Sequence, residues 1–304
     1  MAEPNVPEPL EPRTLEVDVE PTMSGRVARW TERARLFRSR VEASRAEHVS
    51  VDFGFNLVER DSTVGGGLFA GALAYRLFVL LLPTALLFVS GLGLYADAAD
   101  KSPTTVAKEA GLTGLIAAEV ASASSGKARS IVFLTMIPIA LYAVAKLYRS
   151  VAMVHGIVWH GSGRGARATP KGVGLFIVML VTVFVALEIL SWIRRHDQFV
   201  GVLSLLLFLF LVGGAWLLVE TQLPHRDVPW TALLPGAALF GVGLLLINVF
   251  NVYVTTRLVQ GRADTYGALG VAAALLFSLV LVGRLVVASA VLNVSLHDMR
   301  AAKS

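Results

Sequence analysis

Cysteine is absent from all 304 residues. Disulfides and thiolate metal sites are therefore excluded, and the redox compartment leaves no mark. Charge is scarce as well: 16% of residues are Asp, Glu, Lys or Arg, against about 25% in a soluble domain. Histidine is thin and scattered, at positions 48, 155, 160, 196, 225 and 297. No two of these have the i,i+4 helix spacing or the tight loop spacing of a metal site, so neither a metal nor a cofactor is expected. A Gly-x-Ser-x-Gly nucleophile turn is missing. The Gly-rich stretch His160–Lys171 follows no strand and carries no Gly-Lys-Ser/Thr, which excludes a phosphate loop. The first twenty residues are acidic and Pro-rich rather than basic then apolar, so no secretory leader is expected.

What is present is hydrocarbon. Apolar residues make up 55% of the chain and the mean hydropathy is +0.66. Runs long enough to cross a bilayer as helices recur along it. Six are expected: Val64–Tyr95, Ile131–Trp159, Val173–Ile193, Phe199–Val219, Leu233–Val254 and Ala268–Leu292. The fold class is all-α, a polytopic membrane helix bundle with a cytoplasmic N-terminal amphipathic helix. Residues 1–23 hold five prolines and six acids up to Pro21 and read as a disordered acidic tail. Residues 24–63 form an interfacial region. Within it Val27, Trp30, Ala34, Phe37 and Val41 recur at helical spacing, with arginines mostly off that face. That helix lies on the membrane or on the protein's own cytoplasmic face. Residues 64–293 are the six-span domain, and 294–304 a cytoplasmic tail. Ser102-Pro103 reads as a helix start. Gly67 and Gly71 form a GxxxG pair that permits close helix contact.

Basic residues in the connections set the orientation. With both termini in the cytoplasm, 15 Lys and Arg fall inside and 8 outside, and Arg76, Lys146, Arg149 and Arg284 lie within spans. A charge at the centre of a span costs roughly 2.5–3.5 kcal/mol. Such groups face protein, water or a headgroup, or snorkel to the interface. All four fall toward the cytoplasmic half. Lys146 and Arg149 share a helix face, with Tyr142 one turn before Lys146. Glu188 is read as the single acid deep in a span, which leaves the cations without a buried acid beside them in sequence. Together they read as an anion site, with Tyr142 and Asn251 as hydrogen-bonding neighbours. The alternative is basic bias extended into helix ends. His155, in an apolar span, reads first as a hydrogen-bonded core histidine and second as a proton relay.

Several short stretches resemble the YihY/virulence-factor BrkB family of bacterial inner-membrane proteins. They are Ala74-Tyr75-Arg76-Leu77-Phe78 running to Leu82-Pro83, Leu147-Tyr148-Arg149-Ser150 leading to Trp159, and Pro229-Trp230 followed by Leu234-Pro235-Gly236-Ala237. Asn251-Val252-Tyr253-Val254 and Thr265-Tyr266-Gly267 complete them. The family pattern Gly-Ala-Glu-Leu-Asn reads Ser289-Ala290-Val291-Leu292-Asn293 here, with Val291 where an acid is usual. The resemblance covers about Asp61 to Asn293. It implies six transmembrane helices with cytoplasmic termini. Members have been labelled tRNA-processing ribonucleases, and no metal-ligand or acid–base set in this sequence supports that activity. The expected function is transport or handling of an anionic amphiphile, with anionic membrane lipids as partners and neither nucleic acid nor metal. A non-transporting scaffold for envelope assembly, contacting through the Trp30 helix, is the alternative, and a ribonuclease the least favoured. No enzymatic activity is expected.

Overall fold

The computed structural model describes residues 31, 32, 35, 49–100, 102, 105, 126–163, 166–193, 200–252 and 263–302. The tail expected to be disordered, the helix expected around Trp30 apart from the helical positions 31, 32 and 35, and the turn expected at Arg194–Asp197 lie outside them. The chain divides into two units, Met1–Phe55 and Asn56–Ser304. Little of the first is described. Its last residues enter α1 (Val49–Val64).

Six longer helices follow: α2 (Gly66–Ala98), α3 (Gly126–His160), α4 (Pro170–Ile193), α5 (Val200–Glu220), α6 (Leu234–Phe250) and α7 (Ala263–Ala301). A single 3-10 turn, Trp230–Ala232, precedes α6. Among the described residues there is no strand. Four helices are long and apolar enough to cross a membrane, in α2, α3, α4 and α7; Ser204–Glu220 and Leu234–Phe250 are shorter apolar helices. The protein is therefore a multi-pass helical membrane protein. Each helix matches one expected apolar run, because in hydrocarbon the backbone satisfies its own hydrogen bonds only as a helix or a closed barrel. Helix α7 continues to Ala301, well past Leu292, so the expected C-terminal tail is largely helical. Helix α2 runs through Pro83, which is itself buried. Ser102 Oγ accepts a hydrogen bond from the Thr105 N–H at 3.1 Å, as expected of a helix start.

Small residues set how closely the helices approach. A Cβ on Gly283 of α7 would collide with the Ala70 carbonyl oxygen of α2, and Ala70 is 1% exposed. The close seam between these helices is thus Gly66, Ala70 and Gly283. Gly67 and Gly71 are exposed, and nothing stands within 4 Å of a Cβ placed on either. The expected GxxxG contact is not made within this chain; the seam uses the neighbouring face instead. Gly65, at φ 77°, makes the turn between α1 and α2 in a conformation that favours glycine.

Helices α2 and α3 run antiparallel, with Gly93 beside Arg129 and Gly91 beside Phe133. At the level of Leu77 and Leu147, all six bundle helices line one small apolar cavity of about 80 Å³. Leu73, Val151, Val282 and Val286 also line it. This cavity fixes the depth at which the charged residues sit.

Candidate functional site

Helix α3 has two chemically different sides. Ala143, Val144, Leu147, Tyr148, Val151 and Ala152 are buried in the bundle. Tyr142 is 64% exposed, Arg149 is exposed and Lys146 half-buried on the opposite side. The Lys146 ammonium stands 5.1 Å from the centroid of the Tyr142 ring, a cation–π contact that steadies the long side chain. The tetrapeptide Leu147-Tyr148-Arg149-Ser150 therefore splits. Tyr148 points inward and donates its hydroxyl hydrogen to the Gln222 carbonyl at 3.2 Å, while Arg149 points out.

Arg76 is exposed on α2. It precedes Leu77, which shares the cavity with Leu147. Arg76 thus lies within about a helical turn of Lys146 and Arg149 along the bundle axis. Among the described residues, no carboxylate forms an ion pair with Arg76, Lys146 or Arg149.

Arg284 and Asn251 behave differently from this group. Arg284 makes a two-pronged ion pair with Asp61 of α1, Nη1 to Oδ1 at 3.2 Å and Nη2 to Oδ2 at 2.9 Å. The acid absent from its sequence neighbourhood comes from 223 positions away. Asn251 accepts a hydrogen bond from Ser278 Oγ at 2.7 Å. It stands seven residues beyond Leu244, which lines the cavity, so about 10 Å farther along the axis from the cations. Arg76, Lys146 and Arg149 thus share one depth with Tyr142 about a turn from Lys146, Arg284 is engaged elsewhere, and Asn251 is remote.

A second cluster lies inside the bundle, at the end where α5 finishes and α6 begins. Glu220, the last residue of α5, is 2% exposed. Glu188, expected to be the deep acid, is exposed. Glu188 thus faces out of the bundle from within α4, and the carboxylate buried inside it belongs to Glu220, one residue past the expected end of its span. Asn293 of α7 is 1% exposed and faces two ways. Its Oδ1 accepts the Gly236 N–H at 2.7 Å. Its Nδ2 donates to both oxygens of Glu220, at 3.3 and 3.2 Å. A backbone N–H only donates and a carboxylate only accepts, so the amide orientation is dictated by its partners. His155 of α3 is also 2% exposed, with Nε2 at 3.8 Å from Glu220 Oε1. Burial pushes the neighbouring His225, in the α5–α6 connection, below the usual histidine range. A hydrogen bond with the Leu223 backbone and the charges of Asp227 and Glu220 act against that shift.

Gly236 is glycine because of this cluster. A Cβ there would run into Asn293 Nδ2 and stand 2.6 Å from the Ser289 carbonyl oxygen. Two stretches quoted above for the family resemblance, Leu234-Pro235-Gly236-Ala237 and the one ending in Leu292-Asn293, meet in space here. Glu220 completes the contact from a helix that carries none of those stretches. Its signal in sequence is an acid directly after an apolar run. Among the described residues, no three His, Asp or Glu side chains are placed to hold a metal ion.

A family model described as virulence factor BrkB matches residues 58–304. No curated protein and no solved structure matches the chain.

Proposed function

This chain belongs to the virulence factor BrkB family, and we propose that it is a bacterial inner-membrane protein that moves or holds an anionic amphiphile at the cytoplasmic leaflet. In this reading it has six spans and cytoplasmic termini, its partners are anionic lipids, and it is not an enzyme. The supporting observation is the outward-facing group of Arg76, Lys146 and Arg149, at one depth and unpaired with any described carboxylate. Positive charge facing the lipid side, rather than a polar interior, suits a headgroup that arrives laterally from the bilayer. Arg149 offers a planar fork for a phosphate, Lys146 a point charge, and Tyr142 a hydroxyl beside them. A ribonuclease needs an acid–base pair or metal ligands at a nucleic-acid surface, and these residues provide neither.

The test separates headgroup binding from snorkelling. If the stripe binds phosphate, Lys146→Gln lowers retention of anionic lipid, and Arg149→Lys lowers it partly, because a fork becomes a point charge. Loss of one charge-assisted contact is worth about 1.5–3 kcal/mol, roughly ten- to a hundredfold in affinity. Native mass spectrometry of the purified variants reads the lipid retained. Wild-type retention by both variants sinks the anion reading, since lysine snorkels as well as arginine does.

A further inference from the structure

We propose that Glu220 and His155 form a buried site for one monovalent cation: a proton shared between the two side chains, or a small ion such as ammonium or sodium. The site is separate from the lipid-facing stripe, and either reading stands if the other fails.

The geometry leaves one set of valences open. A carboxylate has about four acceptor positions. Among the described residues, the hydrogen-bond donor to Glu220 is the single amide nitrogen of Asn293. His155 Nδ1 lies 3.1 Å from the Val151 carbonyl oxygen, which only accepts, so Nδ1 carries the hydrogen. A neutral His155 then presents a lone pair on Nε2. That atom is buried, has no hydrogen-bond partner among the described residues, and faces Glu220 Oε1 at 3.8 Å. The gap exceeds a direct hydrogen bond; one atom set off the line between them would stand about 2.8 Å from each. Whatever sits there must donate to, or carry positive charge toward, both atoms.

Charge selects a cation over a plain water. A buried carboxylate without a counter-charge is strongly disfavoured. Among the described residues no Lys or Arg reaches Glu220. Helix α6 contains no ionisable residue, and α5 contains Glu220 alone. On α3, Lys146 and Arg149 face away. On α7, Arg284 is held by Asp61, and Asp298 is held by Arg60 at 2.7 Å and by Arg226 at 2.9 Å. His297 packs on Trp159, as does His225 from the connection that also carries Asp227. The pair is one positive charge short, and a bound cation supplies it. Ionisable groups inside a membrane bundle commonly mark ion pathways or proton relays. Here the group joins α3, α5 and α7 directly, and α6 through the Gly236–Asn293 bond. Occupancy therefore governs how firmly four helices close at this end.

The experiment uses the full chain in detergent micelles, unfolded reversibly by SDS at constant ionic strength in choline chloride. One arm varies the pH from about 7 to about 9, where unperturbed histidines stay neutral. The other exchanges choline for ammonium or sodium at fixed pH. The site exists only in the folded protein, so uptake stabilises it. One bound cation raises the folding constant tenfold for each tenfold rise in that cation's activity above half-saturation. In the proton arm stability therefore rises as pH falls. A slope of one in the pH arm identifies a proton, and in the salt arm an ion. In Glu220→Gln the amide oxygen still accepts from Asn293 and its N–H satisfies His155 Nε2, so the slope vanishes in both arms. His155→Gln removes it by donating to the carboxylate, and carries the test where Glu220→Gln does not fold. Zero slope in both arms for the wild type means a structural water only and overturns the proposal. So do equal slopes in wild type and both variants.

Discussion

Asn293 shows how one side chain organises several helices. It accepts from the first turn of α6 and donates to the last residue of α5, while it belongs to α7. Asn293→Ala leaves a backbone N–H and a carboxylate without that partner, each buried. An unsatisfied buried group costs about 1–3 kcal/mol. Gly236→Ala damages the same junction from the other side, because its Cβ takes the space of the Asn293 amide. The two substitutions are expected to be non-additive. In the double variant the shortened residue 293 removes the side-chain part of the clash and leaves the Ser289 carbonyl, so SDS unfolding should show less loss than the single losses combined. Full additivity would mean that the two residues act apart.

At the scale of the element, two kinds of contact join α7 to its neighbours. Its ion pair with α1, Arg284 to Asp61, has side chains 43% and 23% exposed. Such a pair contributes about 0–1 kcal/mol once solvent screening is counted. The α2–α7 seam instead rests on Gly283 against the Ala70 carbonyl. A methyl at Gly283 has no space to enter, and forcing helices apart costs typically about 1–3 kcal/mol. Gly283→Ala should therefore lower the unfolding midpoint more than Asp61→Asn does. The reverse order would show that the ion pair, not the seam, holds α7. Glycine at a bundle seam follows from the membrane setting: apolar side chains gain little by leaving lipid for one another, so close backbone approach carries the packing.

For the whole molecule, the described polar contacts that join different helices gather mostly at one end. Arg60, Asp61, Glu220, Arg226, Asn293 and Asp298 are all there. Under the proposed orientation this is the cytoplasmic end. The lack of cysteine makes the native chain a ready background for single-cysteine labelling. Cysteines at Ser125 and Gly261 should react with an impermeant reagent added to intact cells, and one at Ser162 should not. Reaction at position 162 would reverse the orientation and move the cationic stripe to the outer leaflet.

The helices of this bundle could be placed from sequence because the length of an apolar run is a local property. The cations were legible for the same reason: Arg76, Lys146, Arg149 and Arg284 each interrupt a hydrocarbon stretch. Which way a helix turns its faces was not legible. In a soluble protein an apolar stripe marks the core, but here lipid and core are both apolar, and the two sides of a span carry similar residues. Only the packed structure turned Tyr148 inward and Arg149 outward, gave Arg284 to Asp61, and brought Glu220 to an Asn293 lying 73 positions away. Those pairings depend on how whole helices rotate against one another, which is settled by glycine seams and buried polar contacts rather than by any periodicity within one span.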